Sequence, residues 1–146
     1  YQTKIKQHKE ATMKATVAWC GELGFDCVMD TGESLHLDGN GQDLSPMQAV
    51  LMSVGACSSV DVVEIMKKSR QALQGCECII TAERAENPPR IFTHIHAHYQ
   101  VTGVDINEKQ LARAVQLSTE KYCSVMLMLN QAVEINTTFE TIAPVA

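Results

Sequence analysis

The sequence predicts an α+β fold of order βββ-α-ββ-α-β, and three features carry that reading. Short β-branched and aromatic runs separated by glycines open the chain, a capped apolar segment begins at Ser45, and two alternating runs flank Asn87-Pro88-Pro89. No helix is expected to connect strands in a repeating βαβ manner, which argues against a doubly wound sheet.

Met13 to Trp19 and Phe25 to Asp30 surround the turn-like Gly21 to Gly24, and Glu33 to Leu37 continues after Thr31-Gly32. The pattern predicts a three-stranded meander closed by the loop Asp38 to Gly41, where Gly and Asn tolerate positive φ. Ser45 is then a helix N-cap, Pro46 suits the first helical position, and Gln48 stands three residues after the cap. Gln48 is therefore expected to cap rather than catalyse. The helix should run from Ser45 to about Arg70, with Val50, Leu51, Val54, Val62, Ile65 and Met66 at helical spacing and a small-residue centre, Gly55 to Ser59. At 1.5 Å per residue it would be about 39 Å long, against a radius of gyration of roughly 15 Å. It must bend near Gly55 or be shared with a second subunit.

Cys76 to Ala85 and Ile91 to Val101 alternate at period two on either side of the proline pair, which predicts a hairpin. Asn107 caps a second predicted helix containing Leu111, Ala114, Val115, Ser118, Tyr122, Val125, Met126 and Leu129, with Cys123 past its midpoint. A last strand is expected over about Ala132 to Ile142.

Composition narrows the function classes. The 146 residues are 45% hydrophobic and 20% charged, suited to a packed domain. The net charge is −5, and no Lys/Arg stripe offers to neutralise phosphates, which argues against a nucleic-acid partner. No apolar run reaches the roughly 20 residues of a membrane span, so a cytoplasmic protein without a membrane partner is expected. Residues 1–12 are polar and read as an expression-vector remnant or disordered tail, leaving 13–146 as a single domain.

Six cysteines without CxxC spacing form neither a disulfide framework nor a zinc motif. Two of them lie in informative surroundings. The stretch Ser45-Pro46-Met47-Gln48-Ala49-Val50-Leu51-Met52-Ser53-Val54-Gly55-Ala56-Cys57 and the later Glu120-Lys121-Tyr122-Cys123-Ser124-Val125 together resemble the paired signature of the OsmC and organic hydroperoxide resistance family. The strand order and the Arg90-Ile91-Phe92-Thr93 strand entry are similar too, so the resemblance covers Met13 to Ile142.

The resemblance implies an OsmC-like homodimer, antiparallel sheets wrapped around two central helices in intertwined chains. It also implies that the Cys57 thiolate attacks a small, preferably organic hydroperoxide, becomes a sulfenic acid and is resolved by Cys123. A dithiol reductant then restores the pair, and no cofactor or metal is required. Three positions depart from the family pattern. The chain has no arginine before Arg70, Met47 and Gln48 replace the glutamate usual after the proline, and Ser124 follows Cys123 where proline is common. Without the activating arginine, Cys57 is expected to keep a thiol pKa near the unperturbed value of about 8.5, unless Lys121, Arg113, Arg70, Arg90 or a partner subunit supplies a cation. The alternative function is a non-catalytic OsmC-like protein that binds a small ligand and has lost the Arg/Glu pair.

Within Cys57's own run, Ser58 and Ser59 are the hydroxyls expected to donate to its sulfur. His94, His96 and His98 share one strand face, which a metal ion could exploit but which alternation marks as the solvated face. Cys76 and Cys78 are expected in the core with Ile80 and Ala82, and Cys20 and Cys27 flank a turn with pairing or metal binding left open. Met47, Met52, Met66, Met126 and Met128 read as core filler with an apolar substrate pocket as the alternative.

Overall fold

A computed structural model describes residues 12–145 and resolves two compact units, one ending at Ala49 and the other beginning at Val50. Apart from Thr12, the expected tail lies outside the described residues.

The first unit is the predicted meander. Strands β1 (Ala15–Gly21), β2 (Gly24–Met29) and β3 (Ser34–Asp38) pair antiparallel in chain order. The β1–β2 turn uses Gly21 at φ 119° and Glu22 at φ 49°, and β1 bulges between Trp19 and Gly21. Asp38 ends the meander by accepting hydrogen bonds from the amides of Asn40 and Gln42. The capping box forms as expected: the Gln48 amide donates to Ser45 Oγ at 3.1 Å, and the Ser45 amide to Gln48 Oε1 at 2.9 Å.

From that cap, helix α1 runs as one continuous element, Pro46–Lys68. Its window is long and apolar enough to cross a bilayer, contrary to the sequence expectation. Length and composition alone do not make it a span, and Val54, Val62 and Met66 are fully buried within the second unit. At Gly55, α1 faces a sheet: a Cβ there would make ordinary contacts with Cys78 Sγ at 3.7 Å and Ile80 at 3.8 Å.

That sheet contains β4 (Ala72–Arg84), β5 (Phe92–Val104) and β6 (Glu134–Ile142), in this order. The hairpin is as predicted, extended at both outer ends, with Asn87, Pro88 and Pro89 in its loop. Ile95, Ala97, Tyr99 and Val101 form the buried face of β5, as alternation requires. Phe92 is also buried although its parity is opposite, because the register shifts between Glu83 and Arg84.

Two expectations need correction. The second sheet is mixed rather than antiparallel, since β6 runs parallel to β5. The helical stretch between them acts as a crossover connection, the βαβ-type link the sequence reading excluded, and parallel neighbours require such a long connection. That stretch is also not one helix. It comprises α2 (Glu108–Leu117), a π-helical turn (Ser118–Tyr122) and α3 (Ser124–Leu129), with Cys123 extended at φ −72°, ψ 104°. The Cys123 amide donates five residues back to Ser118 O at 2.8 Å, and this wider turn ends the α-helical ladder. Asn107 caps α2 as predicted, accepting from the amides of Lys109 and Gln110.

Candidate functional site

The break at Cys123 brings together groups that a continuous helix would keep apart. The first amides of a helix have no partner four residues back and are free for other acceptors. At the start of α3 two such donors go to sulfur: Met126 N donates to Cys123 Sγ at 3.4 Å, and the Val125 amide hydrogen-bonds to the Cys57 thiol. Cys57 sits on the middle of α1, half-buried, within hydrogen-bonding reach of the Cys123 thiol and 3.8 Å from Ser124 Oγ. Cys123 is fully buried.

The two thiols thereby differ in acidity. Burial is the largest single influence on Cys57 and pushes its pKa up, as the nearby Asp61 carboxylate does. Hydrogen bonds from Val125 N–H, the Cys123 thiol and the Ser124 hydroxyl together outweigh both and hold it below the ordinary thiol range. Cys123 moves the other way. Burial, with the hydrogen bond to and the charge of Cys57 adding to it, pushes it up to about 11 despite the Met126 amide. Cys57 is the sulfur that ionises first, and Cys123 stays a thiol beside it.

This corrects the expected source of activation. Among the described residues, no lysine or arginine is a cause of the lowered Cys57 pKa; neutral hydrogen-bond donors lower it. Nor do the neighbouring serines supply the hydroxyl. Ser58 Oγ donates to Val54 O at 2.8 Å and receives the Tyr99 hydroxyl at 2.6 Å, and Ser59 hydrogen-bonds to Cys78. The hydroxyl comes from Ser124, the residue that stands where proline was expected. Sequence reading counted it as a departure; the only signal of its role was its place directly after Cys123.

A buried polar network holds the two segments in register. Ser118 Oγ, at the start of the π-helical turn, lies 2.8 Å from Asp61 Oδ2 and 3.2 Å from Ser58 O, both on α1. Tyr99 extends the network to β5. Every buried side-chain nitrogen and oxygen among the described residues has a partner, so the network carries no unsatisfied group.

The remaining candidates fall elsewhere. Cys76 and Cys78 are half-buried rather than core, and burial raises the pKa of both. Cys78 and Ile80 instead line an open hollow of about 280 Å³ with Met52, Gly55, Ala56 and Ser59. Met66 and Met126 are core filler, whereas Met52 and Met128 are exposed. Cys20 reaches the face of the first sheet that carries Asp26 and His36, its Sγ 3.9 Å from His36 Nδ1, whereas Cys27, next to Asp26 on β2, points to the other face, and both are free thiols.

His94, His96 and His98 line the outward face of β5. His94 Nε2 is 3.0 Å from Glu134 and its Nδ1 3.4 Å from Glu83, while His96 and His98 both hydrogen-bond to Thr138 Oγ1. His94 is exposed and His96 and His98 are half-buried, and replacing all three by glutamine, which keeps a polar side chain, is expected to leave Cys57 alkylation within about threefold and to change stability only slightly. Timed iodoacetamide labelling and a urea titration check this.

The signature of the family described as OsmC-like protein matches residues 39–138, more than half of the chain. The chain belongs to the OsmC-like family. Protein YhfA of Escherichia coli (strain K12) is 48% identical over 133 residues, 90% of this chain and 99% of its own length. The crystal structure of a hypothetical protein from Aquifex aeolicus VF5 is 31% identical, with a TM-score of 0.83 over 92% of this chain and 98% of that one. At 17% identity, the organic hydroperoxide resistance protein OsmC from Legionella pneumophila shares the fold, with a TM-score of 0.69 over 90% of this chain and 98% of that one. The resemblance read from the two cysteine segments is thus borne out, together with its α+β fold.

Proposed function

We propose that this OsmC-like protein is a thiol-dependent peroxidase in which Cys57 reduces organic hydroperoxides and Cys123 resolves the product. The observation that carries this reading is the opposed acidity of two adjacent thiols. The Cys57 thiolate attacks the distal peroxide oxygen, the O–O bond breaks, and the alkoxide leaves as the alcohol after taking a proton. Cys57 is now a sulfenic acid. The Cys123 thiol loses its proton, attacks the Cys57 sulfur and expels water, leaving a disulfide. A dithiol reductant returns the pair to thiols by exchange, the two electrons passing to the peroxide in each cycle.

The same reading makes the protein a cytoplasmic homodimer. On α1, Met52, Ala56 and Val60 recur at four-residue steps on an exposed stripe, and Met52 and Val60 are 59% and 58% accessible. In the first sheet Val17 and Trp19 are also well exposed. A second copy of the chain is the occupant proposed for each of these apolar patches.

Thiol counting tests the chemistry. One equivalent of cumene hydroperoxide should consume two thiols per chain, both from the Cys57–Cys123 pair by peptide mapping. If no thiol is consumed at any pH up to about 9, where an unperturbed cysteine is mostly thiolate, the protein is a small-ligand-binding member of its family.

The pH profile adds a second test. Because the Cys57 pKa is depressed, its thiolate fraction rises and saturates at lower pH than that of a free thiol. The rate of Cys57 alkylation should therefore reach half-maximum at a lower pH than that of an unperturbed thiol titrated alongside. Ser124→Ala removes one stabilising donor and should move that midpoint upward, leaving the fully ionised rate within a few-fold. An unmoved midpoint would exclude Ser124 as a contributor.

A further inference from the structure

The first sheet carries a second cluster of reactive side chains. Across it, Ala18, Asp26 and His36 form one row of paired residues, and Cys20, at the bulge of β1, turns its sulfur toward His36 on the same face. His36 Nδ1 lies 2.9 Å from Asp26 Oδ1 and 3.9 Å from Cys20 Sγ. All three donor atoms lie within 4.8 Å of one another.

Two observations distinguish this cluster from an ordinary surface ion pair. Cys20 and Asp26 converge on the same ring nitrogen of His36. A nucleophile–base–orienter triad would use the two different nitrogens, so the arrangement does not suit proton relay. It suits three ligands around one point. Secondly, Gly24 lies between them, and a Cβ there would approach Cys20 Sγ to 3.2 Å and His36 Cε1 to 3.3 Å. The missing side chain keeps the space above the sheet open for both ligands.

The spacing fits a particular class of ion. Tetrahedral zinc holds sulfur at about 2.3 Å and nitrogen and oxygen at about 2.0 Å, which places S and N about 3.5 Å apart and N and O about 3.3 Å apart. The observed 3.9 Å and 2.9 Å need adjustments of about 0.4 Å, within the reach of exposed side chains on adjacent strands. Thiolate, imidazole and carboxylate together favour zinc over the hard cations magnesium and calcium.

We propose that Cys20, Asp26 and His36 form a zinc site with three protein ligands, none of them a member of the Cys57–Cys123 pair. On binding, Cys20 releases its proton to solvent, and the proton that Nδ1 of His36 shares with Asp26 moves to Nε2. Zn–S, Zn–N and Zn–O bonds form with no change of oxidation state, and water completes the tetrahedron.

Cobalt(II) and zinc(II) titrations of the reduced, chelator-stripped full chain test the site. One equivalent of cobalt per chain should produce a thiolate-to-cobalt charge-transfer band in the near ultraviolet, bleached by one equivalent of zinc. Cys20→Ala should abolish the band, and Asp26→Asn and His36→Gln should each weaken zinc binding at least about tenfold, measured against a chromophoric chelator. The Cys57→Ser/Cys123→Ser variant should keep it. In the unmodified protein, zinc should slow iodoacetamide labelling of Cys20 at least about tenfold by peptide mass spectrometry, without any substitution. A band that survives Cys20→Ala, or disappears in the Cys57→Ser/Cys123→Ser variant, assigns the metal to other thiols and overturns the proposal. So does unaltered labelling of Cys20 at saturating zinc.

Discussion

Cys57→Ser is expected to abolish hydroperoxide consumption on the proposed mechanism, whereas Cys123→Ser should permit one turnover and stop. The asymmetry follows from where the two sulfurs sit. Cys57 is half-buried, with three donors lowering its pKa, so of the two sulfurs it more readily supplies the nucleophilic thiolate. A serine hydroxyl in its place neither ionises in this range nor accepts oxygen, and consumption should fall to the uncatalysed background. Cys123 is fully buried and held at about 11, which suits a thiol that waits for a sulfenic acid. Without it the Cys57 sulfenic acid has no adjacent partner, and dimedone should trap one adduct per chain on Cys57. Dimedone labelling of Cys123 in a Cys57→Ser protein that still turns over would reverse the assignment.

Sedimentation at micromolar concentration is expected to give one species of about 32 kDa, twice the 16.1 kDa of the chain. Burying a large apolar side chain contributes about 1.5–3 kcal/mol. The exposed Met52, Val60, Val17 and Trp19 therefore represent a stabilisation available only through association. Val60→Asp places a charge on the exposed stripe of α1, where pairing with another copy would leave it without solvent or a partner. Association should weaken at least about a hundredfold, or about 2.8 kcal/mol at 1.4 kcal/mol per tenfold. A folded monomer of the unmodified chain would remove the dimer, and an unaffected Val60→Asp dimer would place the interface elsewhere.

The capping box, the meander, the proline-flanked hairpin and the Asn107 cap were legible in the sequence because each depends on residues a few positions apart. A Ser-Pro pair with Gln three residues after the cap is read by its own backbone amides. The alternation of β5 likewise follows from backbone geometry, and the cysteine pair was legible through family resemblance. The direction of β6 and the break at Cys123 were not. Parallel pairing depends on the end of β5 to which the chain returns, and the stretch from Ser118 to Cys123 has helical spacing with no glycine or proline to mark an interruption. The π-helical turn coincides with bonds from Ser118 to Asp61 and Ser58, about sixty residues earlier.

Activation of Cys57 is tertiary for the same reason. An arginine can be sought in a sequence, but a free amide of Val125 exists only because the helix restarts after Cys123. The sequence by itself determined which sulfurs are candidates and which elements carry them. The tertiary structure decided which one ionises first, because acidity depends on burial and on donors delivered by chain segments distant in sequence.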